Sequence, residues 1–435
     1  MRRIIHEKIV KTLSSDLNRK IFNQSFWIIL GNVISKFTLL IATIFMAKYL
    51  DKEEYGQFGI IKSTILMFAM FAGMELGMTA TKFIAQYRFS QKRKLERIVG
   101  MSTFFAIVIS ILISFLIYLF AIPIAHQINA PNLNTEIKIS AFILFFSSVN
   151  GIQNGILAGI EKFKELSINS AMSGIISSVL LILAARFYTL DVVIIAFGAN
   201  YVLFFIFNFI TLRKKFYSEF KIEFWSKENF KEIKILWDFS FPAFLAGLMV
   251  APVVWYANYV LVNQPSGYLQ MANFDIASQW RNTILFIPAA LSQIALPLLS
   301  SRVEDKTQYR MVYNKNLKIN ILLAFFLVIV FVIFSPLIVD FYGAKYNDLL
   351  WPIIIMFITT GLISINNVIG QAIASQGKMW LGFYANLMWA IILTVSTHFL
   401  VEKEALGAIG LSLAYLISYF FFFFFQFLYI RRYLN

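Results

Sequence analysis

Residues 25–47 read SFWIILGNVISKFTLLIATIFMA, with a single charge, Lys36. A helix of about 20 apolar residues crosses the hydrocarbon of a bilayer. One such run could also be a buried helix of a soluble protein. Working outward, however, comparable runs follow at 58–84, 99–122, 137–158, 166–187, 191–212, 236–262, 274–299, 319–341, 350–373, 381–400 and 408–430. Twelve in succession cannot all be buried by one soluble core. The expected fold is therefore an all-α integral membrane protein of about twelve transmembrane helices. Composition agrees: 59% of residues are hydrophobic and 14% charged, against about 25% charged in soluble domains.

The charges set an orientation. Of 38 lysines and arginines, 28 fall on one side of the twelve runs, six on the other and four within them. Basic loops stay in the cytoplasm, so both termini are expected there, in an inner (cytoplasmic) membrane. The net charge of +15 is thus mainly a topology signal and does not point to nucleic acid. Attraction to anionic membrane lipids follows from it. The first 24 residues lack the apolar core of a signal peptide. Ile5, Ile9, Leu13 and Leu17 recur every four residues there, as do Phe216, Phe220 and Phe224 in 213–235. Both stretches read as amphipathic helices on the cytoplasmic leaflet. The expected division is an amphipathic N-terminus (1–24), an N-lobe (25–212), an amphipathic linker (213–235), a C-lobe (236–430) and a short tail (431–435).

The chain also resembles itself at half its length. EYGQFG at 54–59 aligns with GYLQMA at 267–272, matching Tyr55 with Tyr268 and Gln57 with Gln270. Ser148 and Asn150 align with Ser364 and Asn366, and Ala158 and Lys162 with Ala374 and Lys378. The offset stays within 213–216. Six spans per half give the halves the same orientation, related by a pseudo-twofold axis along the membrane normal. Such a pair of bundles suits a central cavity and alternating access.

Charges inside the spans are the candidate functional residues, because each costs roughly 2.5–3.5 kcal/mol at mid-bilayer. Lys36 lies in span 1, Lys62, Glu75 and Lys82 in span 2, and Arg281 in span 8. Lys82 is near enough to the basic end to snorkel. Lys62 is two turns from the other end. Lys36 and Arg281 are too deep to snorkel, so each needs a buried partner or a ligand. The excess is cationic, which suits an anionic substrate such as a phosphate. Asp238 and Asp275, at the ends of spans 7 and 8, read as interfacial charges. Gly151, Gly155 and Gly159 form a small-residue face for helix packing. Pro242 and Pro252 in span 7, and Pro288 and Pro297 in span 8, are expected to bend those helices.

Much is absent. There are no cysteines, and the three histidines have no ligand spacing. No phosphate-binding Gly-rich loop and no nucleophile elbow occur. No metal or organic cofactor is implied, and the chain does not read as an enzyme.

The opening FWIILGNVISKFTLLIATIFMAKYLDKEEYGQFGI, then FAGMELGMTATKFIAQYR, resembles that of polysaccharide repeat-unit (O-antigen, Wzx-type) flippases. These belong to the multidrug/oligosaccharidyl-lipid/polysaccharide (MOP) flippase superfamily. YLQMANFDIASQWRNTILFIPAALSQIALPLLSSR is similar to the same family's span 7–8 region. The resemblance implies a V-shaped pair of lobes and a substrate of undecaprenyl (isoprenoid) diphosphate-linked oligosaccharide. It also implies flipping from the cytoplasmic to the periplasmic leaflet, with the polysaccharide polymerase machinery as a possible partner. Under it, Lys36 and Arg281 would hold the diphosphate or acidic sugars, Lys62 would guide the headgroup outward, and Lys82 would be a further substrate-binding residue. Glu75 would titrate and couple transport to an H+ or Na+ gradient.

Three other readings compete. A multidrug or cation antiporter of the same superfamily would favour acidic cavity residues, whereas span 1 carries Lys36. A major-facilitator sugar transporter would carry a Gly/Asp/Arg motif between spans 2 and 3, which QYRFSQKRKLERIVG lacks. A membrane glycan polymerase would need larger outer loops.

Overall fold

The computed structural model describes residues 26–27, 30–31, 33–73, 76–300, 305–376 and 378–434. The amphipathic stretch 1–20 and Glu75 lie outside the described residues. The first half consists of α1 (33–49), α2 (Lys52–Gly73), α3 (Leu76–Tyr87), α4 (Lys92–Leu119), α5 (Ala121–Gln127), α6 (Asn134–Gly159), α7 (Phe163–Phe187) and α8 (Leu190–Lys215). The second half starts with α9 (Ile233–Ile235), α10 (Phe241–Leu248), α11 (Ala251–Val262) and α12 (Gly267–Ser300). It continues with α13 (Lys306–Ile333), α14 (Ser335–Tyr342), α15 (Leu350–Ser375), α16 (Met379–Thr397) and α17 (Gly407–Leu434). The protein is all-helical, and helices cover the described parts of the twelve apolar runs apart from short breaks. Among the described residues, nine helical segments are long and apolar enough to cross a membrane. Their outer faces are apolar: Leu322, Phe325, Phe326 and Ile333 of α13 are all exposed, as a lipid-facing helix requires.

The internal repeat has structural counterparts. Asn150 Nδ2 donates to the Tyr201 carbonyl at 2.9 Å, and its repeat partner Asn366 donates to the Tyr419 carbonyl at 3.2 Å. Each asparagine therefore ties its span to the sixth span of its own half. The halves meet along α2 and α12, which carry the paired segments 54–59 and 267–272. Gly56 permits this contact: a Cβ there would sit 1.9 Å from the Tyr268 carbonyl oxygen.

Span 7 breaks where its prolines stand. A π-turn at Leu236–Ser240 precedes α10, and Pro242 and Pro252 occupy the first turns of α10 and α11. A proline fits the first turn of a helix, where no intrahelical N–H bond is lost. By contrast, α12 runs as one helix through Pro288 and Pro297, so those residues do not interrupt it.

The connection 216–232 differs from the expected surface helix. It consists of turns, a coil and a short 3-10 helix, Lys227–Glu232. Phe216 and Phe220 are buried against Ile84 and Leu95 rather than turned toward lipid. Hydrophobic burial within the protein outweighs the four-residue periodicity, since α3 and α4 offer the rings an apolar bed. Burial also pushes the Tyr217 phenol up to about 12. The segment is clasped to α4: Glu96 accepts from the Lys221 amide, and Arg97 pairs with Glu232 at 2.8 Å.

Candidate functional site

The seam between the halves carries the polar chemistry. Lys62 of α2 extends across it to Asp275 of α12, with Nζ 2.6 Å from Oδ1 and 2.7 Å from Oδ2. Asp275 is buried. On the two residues that follow Lys62, Asn258 Nδ2 donates to Ser63 Oγ at 2.8 Å, and Trp255 Nε1 donates to Thr64 Oγ1 at 3.0 Å. More inter-half bonds lie toward the end opposite the basic loops. Tyr268 donates to the Ile128 carbonyl at 2.6 Å, Lys345 to the Leu50 carbonyl, and Lys52 faces Asp348 at 3.7 Å. At the basic end, the Thr79 and Ser240 hydroxyls are 2.6 Å apart.

Helix α12 organises the charges. Asp275 and Phe286 are eleven residues apart, close to three turns, and so share a face about 16 Å long. Asp275 meets Lys62 on that face, and Phe286 meets Lys36 of α1, whose ammonium stands 5.0 Å from the ring centre. Arg281 points elsewhere, about 120° around the helix from Asp275 and about 140° from Phe286. Its guanidinium lies 5.0 Å from the Tyr415 ring centre, 3.8 Å from Met356 Sδ and within 3.3 Å of Asn282 Oδ1. Lys36 and Arg281 are both half-buried, and neither forms a salt bridge with a described residue. A ring face and an amide oxygen stabilise a cation only in part. These two positions therefore lack a counter-ion among the described residues, while Lys62 is paired with Asp275.

Residues 45–351 match the family described as "Polysaccharide biosynthesis protein". The chain belongs to this family. Among curated proteins of known name, an EPS I polysaccharide export inner membrane protein, EpsE of Ralstonia solanacearum, is 26% identical over 196 residues. That match covers 43% of this chain and 44% of the relative, so it spans less than half the relative's length. A putative O-antigen transporter of Shigella flexneri is 22% identical over 407 residues, covering 90% of this chain and 94% of that one. The fold is that of the MOP superfamily. The lipid II flippase MurJ, in an inward closed conformation, superposes with a TM-score of 0.75 at 16% identity, over 92% of this chain and 86% of that one. The eukaryotic MATE transporter AtDTX14 gives 0.72 at 13% identity, over 95% of both chains.

Against this polysaccharide biosynthesis family fold, the residues singled out from the sequence separate into groups. Lys36 and Lys62 both face α12 across the seam. Arg281 sits within the second half, among α12, α15 and α17. Lys82 of α3 lies near the basic end, 5.1 Å from the Phe83 ring centre. The expectation for Asp275 is corrected: it is a buried ion-pair partner eight residues inside α12, because its attraction to Lys62 offsets part of the cost of burying either charge alone. The sequence held a signal for it. The separation of Lys62 and Asp275 is 213, which equals the repeat offset of the tyrosine and glutamine pairs.

Proposed function

We propose that this chain is a lipid-linked oligosaccharide flippase. It moves undecaprenyl diphosphate-linked polysaccharide repeat units from the cytoplasmic to the periplasmic leaflet by alternating access of its two halves. The single observation that carries this reading is the pair of half-buried cations, Lys36 and Arg281, that lack a counter-ion among the described residues. An anionic diphosphate or acidic sugar supplies the missing charge, and charge-assisted hydrogen bonds to it are roughly twice as strong as neutral ones. The aromatic rings beside both cations hold them in place between substrates. The termini and basic loops are cytoplasmic in this reading. The inter-half bonds then close the periplasmic end, and substrate enters from the cytoplasmic side. Lys82 is the first cation it meets. Lys62 is released to the headgroup only when its bond to Asp275 breaks on outward opening. Glu75 serves as the titrating group that couples transport to H+ or Na+.

The test uses cells of the source organism with the gene deleted. The lipid-linked oligosaccharide is expected to accumulate on the cytoplasmic leaflet while the surface polymer is lost. Normal polymer with altered drug or ion sensitivity would overturn the reading in favour of cation antiport.

A further inference from the structure

The first half holds a cavity of about 420 Å³ between α2, α3 and α6, closed at one side by Leu166 of α7. It faces the second half, since Met70 on its wall also reaches α10, where a Cβ on Gly247 would meet Met70 Cε at 2.1 Å. None of the described residues lining it is charged. Two of its glycines have no packing reason to be glycine: a Cβ on Gly73 or Gly151 meets nothing within 4 Å. This separates Gly151 from its neighbours in the small-residue face. Gly155 packs on Gly77, and Gly159 packs on Ile84. At Gly73 and Gly151 the missing side chains leave open space.

The polar groups of this wall are held from behind. Asn169 Nδ2 donates to Asn208 Oδ1 at 2.9 Å and to Thr211 Oγ1 at 3.0 Å. Asn208 Nδ2 in turn donates to Asn154 Oδ1 at 2.9 Å. Asn169 and Asn208 are buried. This relay across α7, α8 and α6 occupies the acceptor of Asn154 and leaves both of its Nδ2 hydrogens without a partner among the described residues. Ser147, on the same cavity wall, likewise has no such bond. Asn154 and Ser147 are only half-buried and line the cavity, so their unused donors are open to a ligand that enters it.

From this geometry we infer a second subsite, for an uncharged, hydroxyl-rich sugar of the substrate, in the first-half cavity at Asn154, Ser147 and Gly151. It rests on the flippase reading and divides the labour within it. The cations take the anionic end, and the neutral amide and hydroxyl take sugar hydroxyls, which both accept and donate hydrogen bonds. A rigid, partly apolar pocket with few placed polar groups is the usual form of such a site.

The test measures binding by the purified full-length protein of two probes: lipid-linked oligosaccharide extracted from the deletion strain, and bare undecaprenyl diphosphate. Asn154→Ala and Gly151→Leu are expected to weaken binding of the glycosylated lipid at least tenfold and to leave that of the bare lipid unchanged. The Cβ of Gly151→Leu enters open space beside the cavity, so this variant decides the matter if Asn154→Ala unfolds the relay. Wild-type affinity of Gly151→Leu for the glycosylated lipid would overturn the subsite alone. A wild-type protein that binds neither probe would overturn the flippase reading itself, and the subsite with it.

Discussion

Lys62 and Asp275 are 213 positions apart in the chain and 2.6 Å apart in space. That separation equals the repeat offset of the tyrosine and glutamine pairs. Like charges at this contact would repel, and the two positions carry a cation and an anion. Breaking a buried pair by removing one member costs about 3–5 kcal/mol, because the other charge stays buried and alone. Asp275→Asn and Lys62→Met are each expected to destabilise the protein by about that amount. The exchanged pair, Lys62→Asp with Asp275→Lys, should regain most of it. Thermal unfolding in detergent checks this. A double exchange no more stable than the single variants would contradict this pairing.

Removing Lys36 or Arg281 should have the opposite effect on stability. Neither cation has a carboxylate partner among the described residues. Lys36→Met is expected to raise the unfolding free energy by up to about 2 kcal/mol, since an uncompensated charge leaves the interior. The same change should lower surface polymer in the complemented deletion strain at least tenfold. Arg281→Lys should retain only part of the activity, because an ammonium does not reproduce a planar guanidinium stacked on Tyr415. Polymer quantification at matched protein level distinguishes these outcomes.

Helix contact at the seam predicts a contrast between two glycines. A Cβ at Gly56 would lie 1.9 Å from the Tyr268 carbonyl oxygen, whereas one at Gly370 meets nothing within 4 Å. Gly370→Ala should stabilise by about 0.5–1 kcal/mol, the helix-propensity gain of alanine over glycine. Gly56→Ala should push α2 from α12 and lower the unfolding midpoint. Equal midpoints for the two variants would contradict this packing.

Alternating access requires the inter-half bonds at the end away from the basic loops to break in each cycle. The sequence has no cysteine, so introduced thiols report without background. With Leu50→Cys and Lys345→Cys, at a point where the Lys345 ammonium now holds the Leu50 carbonyl, a short thiol-reactive cross-linker should abolish transport. Cleaving the cross-linker should restore it. Undiminished transport after complete cross-linking would rule out opening at this end.

The sequence read differently at different scales. Long apolar runs were legible because a bilayer imposes one length and one composition on every spanning helix. Span 7 was legible as broken because proline lacks the backbone donor a helix interior needs, but the same reading did not hold for Pro288 and Pro297, through which α12 continues. The linker was not: the spacing of Phe216 and Phe220 is compatible with either a lipid surface or a protein groove, and only α3 and α4 decide between them. The glycines of span 4 were also ambiguous. Their spacing marks a helix face but not whether a neighbour covers it, and Gly151 and Gly155 have different surroundings.

By itself, the sequence determined that this protein is helical and membrane-spanning, with an internal repeat pattern and charges at Lys36 and Arg281 too deep to reach water. Those properties are set by hydrophobicity, charge and period, which are local or additive along the chain. The tertiary structure alone decided which charges are paired among the described residues. It joined Lys62 to Asp275, turned Arg281 toward Tyr415 and aligned three asparagines from three helices behind one cavity. Pairing of that kind depends on distances between residues remote in sequence, and only the packing of the helices sets them.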